Sequence, residues 1–240
     1  MGRAFEFRKE RKFKRWAKMA VQFTRLGKEI VMAVKAGGAN PDANSRLRTA
    51  MQNAKAVNMP KDRVEAAIKR ASNKDESNYE ELVYEGYAAH GVAILVETAT
   101  DNTNRTVANV RSYFNKCDGT LGKTGSLDFI FTRQSVFRFE PGEVDLEELE
   151  FDLIDAGLEE IYVEEGEEGK DVAVIHTAFE DFGKMQKALE QKGIEVISAK
   201  LERVAQSTTE VNEEQAADVL KLIDKLEDDD DVQAVYHNMG

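Results

Sequence analysis

The sequence predicts a multidomain α+β protein: an all-helical basic N-terminal domain and two small α+β (ferredoxin-like) domains, one inserted in the other. Three observations predict it. Apolar residues recur with a period of about 3.6 as far as Ala71, and beyond Tyr79 they alternate instead. Between Val136 and Ala199 the order strand, helix, strand, strand, helix, strand fits, which is the ferredoxin-like order. The tail from Gln206 holds only one helix and one strand, too little apolar surface to fold alone.

From Phe7 to Ala20 the residues Phe13, Trp16, Ala17 and Ala20 fall on one helical face, with Lys and Arg around the rest. A second helix is expected from Thr24 to Lys35, with Leu26, Ile30, Ala33 and Val34 inward and Gly37-Gly38 as its stop. After the turn Asn40-Pro41-Asp42, a third helix from Asn44 to Val57 buries Leu47, Ala50, Met51 and Ala54, and Asn58 closes it. Pro60, which suits a first helical turn, opens a fourth with Val64, Ile68 and Ala71. A polar linker, Ser72 to Asn78, ends this segment.

Strands follow at Leu82–Tyr87 and Val92–Thr98, then a helix from Arg105 to Cys117, then a strand in which Leu127, Phe129 and Phe131 alternate. The next series reads strand from Val136 to Phe139, helix Asp145–Ala156, strand Ile161–Glu164, turn Glu165-Gly166, strand Val172–His176, helix Phe179–Lys192 and strand Ile194–Ala199. In it, Asp145 and Glu148 have capping-box spacing, and Gly157 and Gly193 stand at the helix stops. The tail contributes helix Glu213–Glu227 and strand Val232–Tyr236. Pairing the tail with the half-built sheet of residues 79–134 completes both, so the expected domains are 1–78, 79–134 with 206–240, and the inserted 135–205.

Charge is sorted along the chain. Residues 1–72 hold 18 Lys and Arg against 6 Asp and Glu, a net +12, whereas the whole chain carries −12, so the remainder carries −24. A polyanion responds to the local patch within a Debye length of about 8–10 Å. The grip on a phosphate chain is therefore assigned to Arg8, Lys9, Arg11, Lys12, Lys14, Arg15, Lys18, Arg25 and Lys28, with Arg46 and Arg48 as secondary candidates. The acidic remainder is repelled by the same polyanion and suits a basic protein surface. One cysteine, Cys117, excludes an internal disulfide framework and is expected to be a small buried thiol. No apolar run is long enough for a signal peptide or a membrane span, so a cytoplasmic protein is expected.

Sites for chemistry are weaker. Gly119-Thr-Leu-Gly122-Lys123-Thr124 resembles half of a phosphate loop, but position 117 is Cys117 and the stretch leaves a helix for a strand, so a capped helix and turn are expected. Lys123 and Arg105 remain as secondary nucleic-acid contacts. His90, His176 and His237 share no metal spacing, and no nucleophile elbow is present. His176 lies in an apolar strand and reads as a satisfied structural histidine. Glu227 to Asp231 lacks calcium-loop order and reads as a solvated helix end. In Asp101-Asn102-Thr103-Asn104-Arg105-Thr106 the side chains cap the next helix, or Arg105 contacts RNA or protein. No catalytic residue, metal site, cofactor or small-molecule substrate is assigned.

The stretches GGANPDANSRLRTAMQNAKAVNMPKDRVEAAIKRA, YEGYAAHGVAILVETATDNTNRTVANVRSYFNKCDGTLGKTGSLDFIF and DDDDVQAVYHN closely resemble the YebC/PmpR family, which includes the mitochondrial translational activator of cytochrome c oxidase. The likeness covers residues 24 to 238 or so. Family members begin with a short Gly-His-Ser-Lys-Trp segment. Here the longer RAFEFRKERKFKRWAKM keeps Lys14-Arg15-Trp16 and has no histidine. The resemblance implies a three-domain fold and a non-enzymatic regulator of gene expression. DNA-binding transcriptional regulation is the family label, and the alternative is a translation factor that meets ribosomal or transfer RNA and ribosomal proteins and relieves stalled elongation.

Overall fold

Thr24 reads in the sequence as a helix start, yet its Oγ1 donates 3.0 Å back to the Ala20 carbonyl, satisfying the hydroxyl inside a helix. Nothing therefore breaks the chain there. In place of two expected helices there is one, α1 (Arg3–Gly37). The computed structural model describes residues 3–71, 78–165 and 170–240, with side chains from Met19 onward. The apolar face expected of Phe13, Trp16 and Ala17 lies outside the described side chains, and the turn expected at Gly166 and the linker 72–77 lie outside the described residues.

The second half of α1 packs Leu26, Ile30, Ala33 and Val34 against α2 (Ser45–Ala56) and α3 (Lys61–Ala71), through Leu47, Ala50, Ala54, Val64 and Ala67. Asn44 joins two of these helices. Its Oδ1 accepts from Leu47 N–H at 3.0 Å, capping α2, while its Nδ2 donates to the Ala33 and Gly38 carbonyls at 2.7 and 2.8 Å. A Cβ at position 37 would lie 2.7 Å from that Nδ2, and Gly38 has φ +86°, so the two glycines serve different needs: close approach and a left-handed turn.

The first sheet has the order β3-β1-β2-β8, built from β1 (Glu80–Tyr87), β2 (Ala93–Thr100), β3 (Thr120–Leu121) and β8 (Val232–His237), all neighbours antiparallel. Helices α4 (Thr103–Lys116) and α7 (Glu213–Glu227) cover one face, with Val110, Phe114, Val219, Leu222 and Leu226 on Ile94 and Val96. This sheet starts with a hairpin and is not ferredoxin-like in order. The strand expected through Leu127, Phe129 and Phe131 is also corrected: residues 124–130 form turns, and the strand starts only at Phe131. The cause is Glu85, buried on β1, whose carboxylate accepts from Gly125 N–H at 2.8 Å and Leu127 N–H at 2.7 Å and wraps the chain around itself.

The second sheet has the order β5-β6-β4-β7, from β4 (Phe131–Phe139), β5 (Leu158–Glu165), β6 (Asp171–Ala178) and β7 (Val196–Ala205), again antiparallel throughout. Helices α5 (Leu146–Leu153) and α6 (Phe182–Gln191) place Leu149, Leu153, Met185 and Leu189 on Phe137, Phe139 and Ile175. Strand order and helix placement here are ferredoxin-like. Asp145 caps α5 by accepting from Glu147 and Glu148 N–H, as the spacing predicts. The chain divides into two compact units, Met1–Asp128 with Ser207–Gly240, and Phe129–Gln206. Among the described residues no helix is long and apolar enough to cross a membrane.

Candidate nucleic-acid interface

Of the cations assigned to a phosphate chain, Arg8, Lys9, Arg11, Lys12, Lys14, Arg15 and Lys18 lie on the first half of α1, and their side chains are outside the described residues. Arg46 and Arg48 are exposed on α2, Arg46 in a surface ion pair with Glu81. At side-chain exposures of 44% and 59% that pair is screened by solvent and contributes little to stability. Lys123 is exposed in the turn after β3.

Arg25 and Lys28 are placed differently. The Arg25 guanidinium donates through Nε to the Val232 carbonyl at 2.9 Å and through Nη2 to the Glu227 carbonyl at 2.8 Å. Burial draws its pKa down, with Glu227 and Asp228 opposing. Lys28 Nζ donates to the Ala99 carbonyl at 2.9 Å, the Asp230 carbonyl at 2.7 Å and Asp231 Oδ1 at 2.9 Å. Three acceptors meet all three ammonium protons. These two cations clamp the middle of α1 to the end of α7 and the start of β8, and are turned inward.

The partner of that clamp is Asp231, whose side chain is 6% exposed. Its Oδ2 accepts from Arg105 Nη2 at 2.7 Å and Nε at 3.2 Å, and the Thr106 and Thr100 hydroxyls lie 2.9 and 3.1 Å away. Burial pushes this carboxyl up. Hydrogen bonds from Arg105, Lys28 and Thr106 and the Lys28 charge outweigh burial, and the pKa is held at about 2. Asp229 meets the same face of α4 one and two turns further along, accepting from Tyr113 Oη at 2.9 Å and Asn109 Nδ2 at 3.1 Å. Burial first, then this hydrogen bond and the Asp229 charge, lift Tyr113 to about 12.

The acidic run is thus only in part the solvated helix end that its sequence suggests: Glu227, Asp228 and Asp230 are exposed there, while Asp229 and Asp231 turn inward. Those two form a latch holding α1 and α4 together. The Asp101–Thr106 motif supplies its receiving side: Asn102 Oδ1 caps α4 through Arg105 N–H at 3.1 Å, while the Arg105 guanidinium bridges Asp231 and Asp101. Thr100 and Tyr113 are not singled out by the sequence, and Asp229 and Asp231 stand out there only as members of the acidic run. The available signal was one arginine, Arg105, in the Asp101–Thr106 motif and the acidic stretch Asp228–Asp231, and the pairing of residues 126 positions apart is not visible in one sequence.

Asp118, with φ +53°, turns the chain after α4, and Gly122 N–H donates 2.7 Å to the Glu85 carbonyl, so this stretch edges the sheet and is no phosphate loop. Cys117 is partly exposed, not buried. His176 is satisfied, its Nδ1 3.0 Å from Gln134 Oε1 and its Nε2 3.2 Å from Tyr162 Oη. Among the described residues no three His, Cys, Asp or Glu side chains converge on a metal site.

Residues 3–74 match the family model described as the TACO1/YebC protein N-terminal domain, and residues 79–239 match the TACO1/YebC second and third domain. A probable transcriptional regulatory protein of Flavobacterium johnsoniae is 60% identical over 239 residues, spanning 100% of this chain and 99% of that protein. One from Anaeromyxobacter dehalogenans is 57% identical over 240 residues and the full length of both. Among solved structures, that of a conserved hypothetical protein from Aquifex aeolicus is similar with a TM-score of 0.79 and 38% identity, covering 92% of this chain and 90% of that one.

Proposed function

This chain belongs to the TACO1/YebC family, and from that premise we propose that it is a non-enzymatic cytoplasmic regulator of gene expression that binds nucleic acid through its basic N-terminal helices. The observation that carries this is charge segregation: 18 cations against 6 carboxylates in the first 72 residues of a chain that is otherwise strongly acidic. Arg8 to Lys18 hold the phosphates, Arg46 and Arg48 extend the contact, and Arg105 and Lys123 lie at its margin. Arg25 and Lys28 are positioning residues. With the clamp at the middle of an unbroken helix, the cations before it are carried on a rod in which Arg8 lies about 25 Å from Arg25 along the axis.

The proposed organisation is three-part, with 1–78 as the helical module and 135–205 inserted in the domain of 79–134 and 206–240. The pairing of β8 with β2 supports it. Relatives named as probable transcriptional regulatory proteins favour duplex DNA as the target. The acidic remainder favours the second reading, a factor on the translating ribosome, since a −24 body is easier to place against basic ribosomal proteins than along a duplex.

A sucrose gradient of cell lysate separates the two. Transcriptional regulation predicts no ribosome comigration and footprints on defined promoters, whereas comigration that is lost at high salt supports the translation factor. Complexes that survive nuclease would contradict both and leave a protein adaptor.

A further inference from the structure

The unit Phe129–Gln206 carries 20 Asp and Glu against 8 Lys and Arg. That excess repels nucleic acid and anionic lipid alike. On this acidic surface α5 shows two apolar side chains to solvent: Phe151 is 75% exposed and Ile154, in the 3-10 turn that continues the helix, is 57% exposed. The core side of the same helix is already complete with Leu149, Leu153 and Ala156, so neither residue is needed to hold the fold.

Residues three and four apart are neighbours on a helix. Glu147, Glu148 and Asp155 therefore surround Phe151, and Glu150 stands beside Ile154. No Lys or Arg lies on α5 itself. Asp152, on the flank, is the residue that meets a cation, Lys192. Phe151 and Ile154, three residues apart and therefore adjacent, form one apolar patch rimmed by carboxylates, the kind of surface that marks a protein-interaction site.

We propose that the outer face of α5, centred on Phe151 and Ile154, docks a Lys- and Arg-rich amphipathic segment of a partner protein, whose apolar residues cover the two side chains while its cations meet the surrounding carboxylates. Charge complementarity selects this occupant. The basic arm of a second copy has the same chemistry, but a reciprocal arm-to-α5 dimer would occupy the cations that hold phosphate, so self-association is an outcome that the test reads. This inference does not depend on which nucleic acid the arm binds.

The test uses the full chain and two synthetic peptides of identical Lys and Leu composition, one with leucines at helical spacing and one with the order shuffled. Binding is followed by NMR shifts of unit amides at physiological salt. The helical peptide is expected to bind at least ten times more tightly than the shuffled one, with shifts centred on α5. Phe151→Ala with Ile154→Ala should remove that preference, and Glu147→Lys with Glu150→Lys should weaken binding of both peptides, each variant keeping its thermal midpoint because the altered groups face solvent. Equal affinity for the two peptides, shifts elsewhere, or no effect of the Phe151 and Ile154 substitutions would overturn the proposal. So would sedimentation showing a self-association of the chain that these substitutions abolish.

Discussion

The Asp231 carboxylate takes hydrogen bonds or close hydroxyl contacts from α1, β2 and α4 at once. Its pKa of about 2 lies below the ordinary value of about 3.9, so its ionised form stabilises the fold above the ordinary value, and that contribution disappears as the pH falls from about 4 to about 2. The shift corresponds to about 2–3 kcal/mol. Removing the charge outright also strands Lys28, only 11% exposed, beside an uncharged amide. Asp231→Asn is therefore expected to destabilise the chain by about 3 kcal/mol at pH 7, and the gap from the parent protein should narrow toward pH 2, as read by chemical denaturation across that range. At the neighbouring position, Tyr113 should ionise near pH 12 in absorbance titrations, and Asp229→Asn should bring it down toward 10 without reaching it, because burial acts first and remains.

Elements whose cause is local were legible in the sequence. Helix α7 spans Glu213–Glu227 as predicted because its apolar stripe lies within it; the structure adds a capping box between Asn212, just before it, and Gln215. The second sheet's order followed from alternation and from caps such as Asp145. Elements whose cause is distant were not. The turns at 124–130 exist because Glu85, some forty residues earlier, accepts their N–H groups. The single span of α1 depends on where the Thr24 hydroxyl bonds, which its residue type leaves open. Arg25 and Lys28 illustrate the same limit at the candidate site: sequence identifies them as cations in a basic run and cannot show that all but one of their acceptors lie more than 200 residues away. Asn44 makes an element-scale prediction. Asn44→Ala removes the α2 cap and the side-chain bonds to the Ala33 and Gly38 carbonyls, so a loss of about 2 kcal/mol is expected. Amide exchange should accelerate at the end of α1 and the first turn of α2 while the Phe129–Gln206 unit is unaffected.

Taken as a whole molecule, the chain separates a basic leading segment from an acidic remainder, and the latch at Asp231 joins the two along α1. Arg25 and Lys28 fix the direction of a helix whose other cations are, in the proposed reading, those that meet a polyanion. The most direct test is retention of duplex DNA and of ribosomal RNA by the purified chain over a salt series, alongside a variant with Arg8, Lys9, Arg11, Lys12, Lys14 and Arg15 changed to Glu. If six cations meet phosphates, the parent protein should lose affinity with a log–log slope of about −5, roughly a thousandfold between about 50 and 200 mM salt. The variant, with its thermal midpoint retained, should fail to hold either polymer. Undiminished binding by that variant in dilute buffer would contradict the account.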